Sequence, residues 1–91
     1  MISDAVLRTE GGGYNKNDVL NKIDAYNALI YSIDEMILSD SAVNAELEKI
    51  RSMPLRKADG FLFFKGSGFS VKDTDDYIEK LEHEIISKIM L

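Results

Sequence analysis

Three aspartates crowd Asp73-Thr74-Asp75-Asp76, and carboxylates at this density are the groups that hold a hard cation. The spacing does not make a calcium loop, because neither the glycine of the sixth position nor the glutamate of the twelfth falls in place. Acids here instead suit the positive end of a helix starting at this point. Two glycine clusters, Gly11-Gly12-Gly13 and Gly66-Ser67-Gly68, each precede a helical pattern, where backbone N–H groups can bind phosphate. Neither runs into Gly-Lys-Ser/Thr nor fits Gly-x-Gly-x-x-Gly, so both read as turns. The one histidine, His83, stands between Glu82 and Glu84 with no serine or acid spaced to make it a base. Zero cysteines exclude disulfides and thiolate metal sites. The chemistry-bearing residues therefore predict no enzyme, no cofactor, no metal and no small-molecule substrate.

The sharpest local feature is Phe61-Leu62-Phe63-Phe64-Lys65. From Lys49 to Lys72 the chain holds six bases (Lys49, Arg51, Arg56, Lys57, Lys65, Lys72) and one acid, Asp59, within a protein of net charge −5. One reading is a basic loop tipped by Phe61, Phe63, Phe64 and Lys65 that touches an anionic membrane or enters a partner's groove. The other buries the phenylalanines, each worth about 1.5–3 kcal/mol, and leaves the bases in water. Over the whole chain 16 acids outweigh 11 bases, and the pI of about 4.7 disfavours nucleic acid as a partner.

These residues must be positioned by a small scaffold. Ninety-one residues make one domain with a thin core, and 45% apolar content with one proline argues against disorder. Val19, Ile23, Tyr26, Ile30, Ile33 and Ile37 are spaced 4, 3, 4, 3, 4, a heptad seam on a helix over 18–38 with Asn17 as its cap. Leu20, Leu29, Tyr31 and Leu38 widen that apolar surface. Ser39-Asp40-Ser41 signals a break and a restart, and Val43, Leu47 and Ile50 mark a shorter helix over 42–52 that Met53-Pro54 ends. Asp59-Gly60 suggests a hairpin turn between Leu55–Ala58 and Phe61–Lys65. A last helix over 73–90 carries the seam Ile78, Leu81, Ile85, broadened by Ile86 and Ile89. The fold expected is mainly α: two heptad helices, a shorter one, and an extended or hairpin segment at 55–69.

The two ends of the chain repeat. Gly13-Tyr14-Asn15 aligns with Gly68-Phe69-Ser70 at an offset of 55, and the register carries Ile23 onto Ile78, Tyr26 onto Leu81 and Ile30 onto Ile85. Upstream, Leu7 falls on Leu62. Each unit is an apolar residue, a glycine-containing loop, a Gly-aromatic pair, a cap and a heptad helix. Glycine permits the reversal, and the aromatic folds back on the first helical turn as a staple. The chain thus reads as a single domain of two units, 6–38 and 61–90, joined by the 42–52 helix. Residues 1–30 lack a signal peptide's basic and apolar regions, and no apolar run is long enough to span a bilayer.

This pattern resembles the N-terminal domain of the DivIVA/GpsB family of bacterial cell-division and polarity scaffolds. Gly13-Tyr14-Asn15 with Val19, Ile23 and Tyr26 matches one copy; Gly68-Phe69-Ser70 with Thr74, Asp75, Tyr77, Ile78 and Leu81 matches another. The resemblance implies a non-catalytic, self-associating cytoplasmic scaffold or adaptor in which the first and last helices pair, within one chain or across a homodimer. Gly13, Tyr14, Gly68 and Phe69 would be its structural loops. Members that bind membrane resemble one another in an aromatic-basic pair before the glycine, where this chain has Gly11-Gly12 and Gly66-Ser67. A second reading is a monomeric module binding a peptide, or the inner face of the membrane, through Phe61–Lys65.

Overall fold

A computed structural model describes residues 7–60 and 66–89. In chain order they form β1 (Thr9–Gly11), α1 (Lys16–Asp34), α2 (Asp40–Arg51), β2 (Ser67–Phe69) and α3 (Val71–Ile89). The protein is mainly helical. Two 19-residue helices, each about 28 Å long, lie side by side.

Each helix starts where a short polar side chain can satisfy its first N–H groups. Asn15, rather than the expected Asn17, caps α1: its Oδ1 accepts from Asp18 N at 3.0 Å. Two residues of extra helix result, because the chain is already turned at Tyr14. Ser39 Oγ accepts from Ala42 N to start α2, and Ser70 Oγ accepts from Asp73 N at 3.2 Å beneath α3. The helix α1 stops at Asp34 instead of reaching 38. Met36 adopts a left-handed conformation, φ 57°, and the Ile37 amide turns back to Ser32 O at 3.0 Å, which closes the helix end.

Hydrogen bonds climb α1 and α3 together, from Tyr14 to Asp75, Tyr26 to Glu82, and Lys88 to Asp34. The two helices are therefore parallel and paired within one chain. On α1, Val19, Ile23, Tyr26 and Leu29 are buried; on α3, Leu81 and Ile85 are. Ile30, Ile33 and Ile78 are half-buried against this core. Ile37 corrects the sequence reading. It lies beyond the helix end and is 65% exposed, so it takes no part in helix pairing. Leu29 is buried instead because α1 packs on two partners, and α2 covers the side carrying Ala25 and Leu29 with Val43, Leu47 and Ile50. The α2 end is closed from α1, where Lys22 Nζ donates to Arg51 O at 3.2 Å and Met53 O at 2.9 Å.

The segment after Pro54 is extended, and its partner is remote. Lys57 bridges to Tyr14, while β1 and β2 pair antiparallel with Thr9 opposite Phe69. The expected second strand of an Asp59-Gly60 hairpin, Phe61–Lys65, lies outside the described residues, as does Leu62.

Candidate functional site: crossed loops and the adjoining cleft

The loops that lead into α1 and α3 cross at Tyr14 and Phe69. Tyr14 N–H donates to Phe69 O at 2.9 Å, and Phe69 N–H donates to Tyr14 O at 2.9 Å. This reciprocal pair sits on a local two-fold axis. To one side Asn15 N–H donates to Arg56 O at 2.7 Å; to the other Ser70 N–H donates to Arg8 O at 2.6 Å. Glycine is required at both crossing points, since a Cβ at Gly13 would fall on the Phe69 carbonyl and one at Gly68 on the Tyr14 carbonyl.

Two arginine clamps repeat the symmetry. Asp18 accepts from Arg56 N at 3.1 Å, Nε at 2.9 Å and Nη2 at 2.8 Å. Asp73 accepts from Arg8 N at 3.0 Å, Nε at 2.8 Å and Nη2 at 3.0 Å. Each arginine belongs to the loop entering one helix and holds the first turn of the other. These hydrogen bonds lower both carboxyls to about 2. The bidentate fork fixes orientation as well as charge. The clamps were not visible as a pair of motifs at one offset: Leu7-Arg8 recurs as Leu55-Arg56, 48 residues on, whereas Asp18 recurs as Asp73 at 55. By their clamps Arg8 and Arg56 are equivalent, and the loop into α3 is the longer by the difference.

The acidic trio of α3 is distributed among separate partners. Asp73 holds Arg8, Asp75 accepts from the Tyr14 hydroxyl at 3.0 Å, and Asp76 pairs with Lys72 at 2.8 Å. Among the described residues no cluster of acids and histidine is large enough to hold a metal ion. Most described bases of the Lys49–Lys72 stretch are likewise paired with acids. Lys49 pairs with Glu46, Arg51 with Glu48 and Glu82, and Arg56 with Asp18. Lys57 lies 4.9 Å from the Tyr14 ring centroid, and Lys16 lies 5.2 Å from that of Phe69. Phe61, Phe63, Phe64 and Lys65 fall outside the described residues.

Beside the crossing, a cleft of about 570 Å³ opens between α3 and the end of α2. Leu55, Ile78 and Ile86 give it apolar walls, and Tyr26, Arg51 and Glu82 form its polar part. Glu82 accepts from the Tyr26 hydroxyl at 2.6 Å and from Arg51 Nη2 at 2.9 Å. Arg51 holds the Glu82 carboxyl below the usual carboxylate range, and burial together with Glu82 pushes the Tyr26 phenol up. Burial lowers the Lys22 ammonium. Glu82 is thereby an occupied acceptor and Tyr26 a committed donor. Neither is poised to exchange a proton near neutral pH; their hydrogen bonds instead tie α1, α2 and α3 together at this point. His83 lines the same cleft from an exposed position on α3.

No described helix is long and apolar enough to cross a membrane. Compared with models of known families, with curated proteins and with solved structures, the chain has no match.

Proposed function

We propose that this protein is a non-catalytic scaffold or adaptor domain, similar to the DivIVA/GpsB domains of bacterial cell division and envelope growth. One observation carries the reading: two Gly-aromatic loops cross on a two-fold axis and feed two parallel helices of equal length, Lys16–Asp34 and Val71–Ile89. Such an arrangement builds a stiff platform from two copies of one unit and commits its polar groups to structure. In this chain both copies belong to one polypeptide, so the seam offered by Val19, Ile23, Tyr26, Leu81 and Ile85 is filled internally. The partner is then a different protein, held at surfaces outside the seam. The charges of the described bases do not favour the membrane alternative. Of the five described bases between Lys49 and Lys72, four face carboxylates and Lys57 covers a tyrosine.

Light scattering across a dilution series tests the platform. A mass near 10.2 kDa with undiminished helicity at low micromolar concentration is expected. A dimer that dissociates in Ile30→Asp or Ile33→Asp would instead place the seam between chains. The cellular part is tested by a fluorescent fusion in a rod-shaped bacterium, expected to concentrate at division sites; uniform fluorescence would remove that assignment.

A further inference from the structure

At the end of α1 remote from the crossed loops, three large apolar side chains stand in water: Tyr31 is 63% exposed, Ile37 65% and Met36 91%. All three lie on the last turn of α1 or in the stop that follows it. The Met36 amide donates to Ile33 O and the Ile37 amide to Ser32 O, both at 3.0 Å. Met36 occupies the left-handed position of this stop, φ 57°, where glycine is the usual residue. It has the only positive φ of a non-glycine among the described residues. A methionine there costs stability, and its side chain returns nothing to the fold. Strain of this kind, maintained at an exposed point, marks a site with a use outside the fold.

Acids flank the apolar group along the chain. Glu35 and Asp40 are exposed and form no ion pair among the described residues, and Asp34 shares its carboxylate with Lys88 at 2.6 Å. We propose that this tip docks a basic amphipathic segment of a partner protein, with the partner's apolar side chains on Tyr31, Met36 and Ile37 and its lysines or arginines on Glu35 and Asp40. The acidic rim selects this occupant. A second copy meeting the tip across a two-fold axis would bring Glu35 and Asp40 against themselves, and three side chains fall far short of the roughly 800 Å² per partner of a stable interface. An anionic lipid surface would be repelled by the same carboxylates. Methionine is suited to such a contact because its flexible thioether adapts to the side chains it meets. The site lies outside the helix seam and stands whether or not the platform acts in cell division.

The test uses the whole isotope-labelled chain and an amphipathic helical peptide of leucine and lysine, followed by backbone amide shifts in NMR. The expected result is shifts concentrated between Tyr31 and Asp40, absent with a leucine–glutamate peptide of the same pattern. Replacing the leucines by serine should weaken binding about tenfold. Met36→Gly keeps the helix stop, so it should melt higher while binding about tenfold more weakly. Glu35→Lys should weaken binding without loss of fold. Shifts that centre on the cleft or the crossed loops, equal binding of the glutamate peptide, or full affinity in Met36→Gly would overturn the proposal. So would shifts of the same amides on raising protein concentration alone, or on adding phosphatidylglycerol vesicles; these would assign the tip to a second copy or to lipid.

Discussion

Thr74 is wholly buried, and its hydroxyl makes no hydrogen bond. The residue at the same place in the first unit is Val19, also wholly buried. The two-fold relation between the units therefore names the replacement that fits: Thr74→Val. An unsatisfied buried hydroxyl costs about 1–3 kcal/mol, and the methyl that takes its place gains something under about 0.8 kcal/mol from burial. Part of that is lost if the neighbours of Val19 and Thr74 differ in shape, which leaves a net stabilisation of about 1–2 kcal/mol. For a domain of this size the melting temperature should rise by about 4–16 °C. Thermal and urea melts followed by far-UV circular dichroism read the effect, with an unchanged urea slope showing that only the native state moved. The converse substitution, Val19→Thr, should cost a similar amount. A neutral or destabilising Thr74→Val would refute the reasoning, because it would mean that the hydroxyl bonds the Ser70 carbonyl, one turn back, which already accepts the Thr74 amide at 2.9 Å.

The glycines of the crossing give the matching loss. Gly13→Ala and Gly68→Ala each drive a Cβ onto a backbone carbonyl that cannot rotate away, so each should destabilise by about 2–4 kcal/mol in urea melts, and a loss below about 1 kcal/mol would contradict the crossing. The clamps predict the acid limb of stability. Asp18 and Asp73 titrate near 2 in the folded chain, against about 3.9 unfolded, so their contribution is complete above about pH 4 and is lost as pH falls through 2. The melting temperature should hold down to about pH 4 and then fall, and Arg8→Met with Arg56→Met should flatten that limb; a fall beginning near neutrality would point to other groups.

What the sequence conveyed well was local and periodic. The restart at Ser39-Asp40-Ser41, the acidic first turn at Asp73, the stop at Met53-Pro54 and the apolar periodicity placed three helices within a few residues of their bounds. The apolar seam was legible as a stripe but not as a surface with two partners. A 3.5-residue repeat selects Ile30, whereas α2, lying over Ala25 and Leu29, draws the centre of burial to Leu29. Ile37 continues the spacing past Asp34 only by number, since the left-handed turn at Met36 redirects the chain. Pairings between distant segments were the least legible. Asp59-Gly60 advertises a local turn, yet the described extended residues pair across 43 to 60 positions, Lys57 with Tyr14 and Thr9 with Phe69. The arginine clamps were hidden because the loops of the two units differ in length. A search for Leu-Arg ahead of each Gly-aromatic pair, with a gap allowed, would have found them.

Placing both units in one chain has a physical consequence for binding. In a two-fold dimer of identical chains every contact occurs twice, so a substitution that improves one side alters the other. Here each unit can differ. Tyr14 carries a hydroxyl that reaches Asp75, and Phe69 at the equivalent place has none; Val19 faces Thr74; α2 packs on α1, while α3 bears Lys80, His83, Glu84 and Ser87 at the places of Ala25, Ala28, Leu29 and Ser32. The face that α1 turns toward α2 is polar and exposed on α3, so no second copy of α2 is needed there. The cleft of Leu55, Ile78 and Ile86 and the tip of Tyr31, Met36 and Ile37 then each occur once per molecule. A platform of this kind engages its partners singly and in a fixed orientation, where a symmetric dimer would present every site in duplicate.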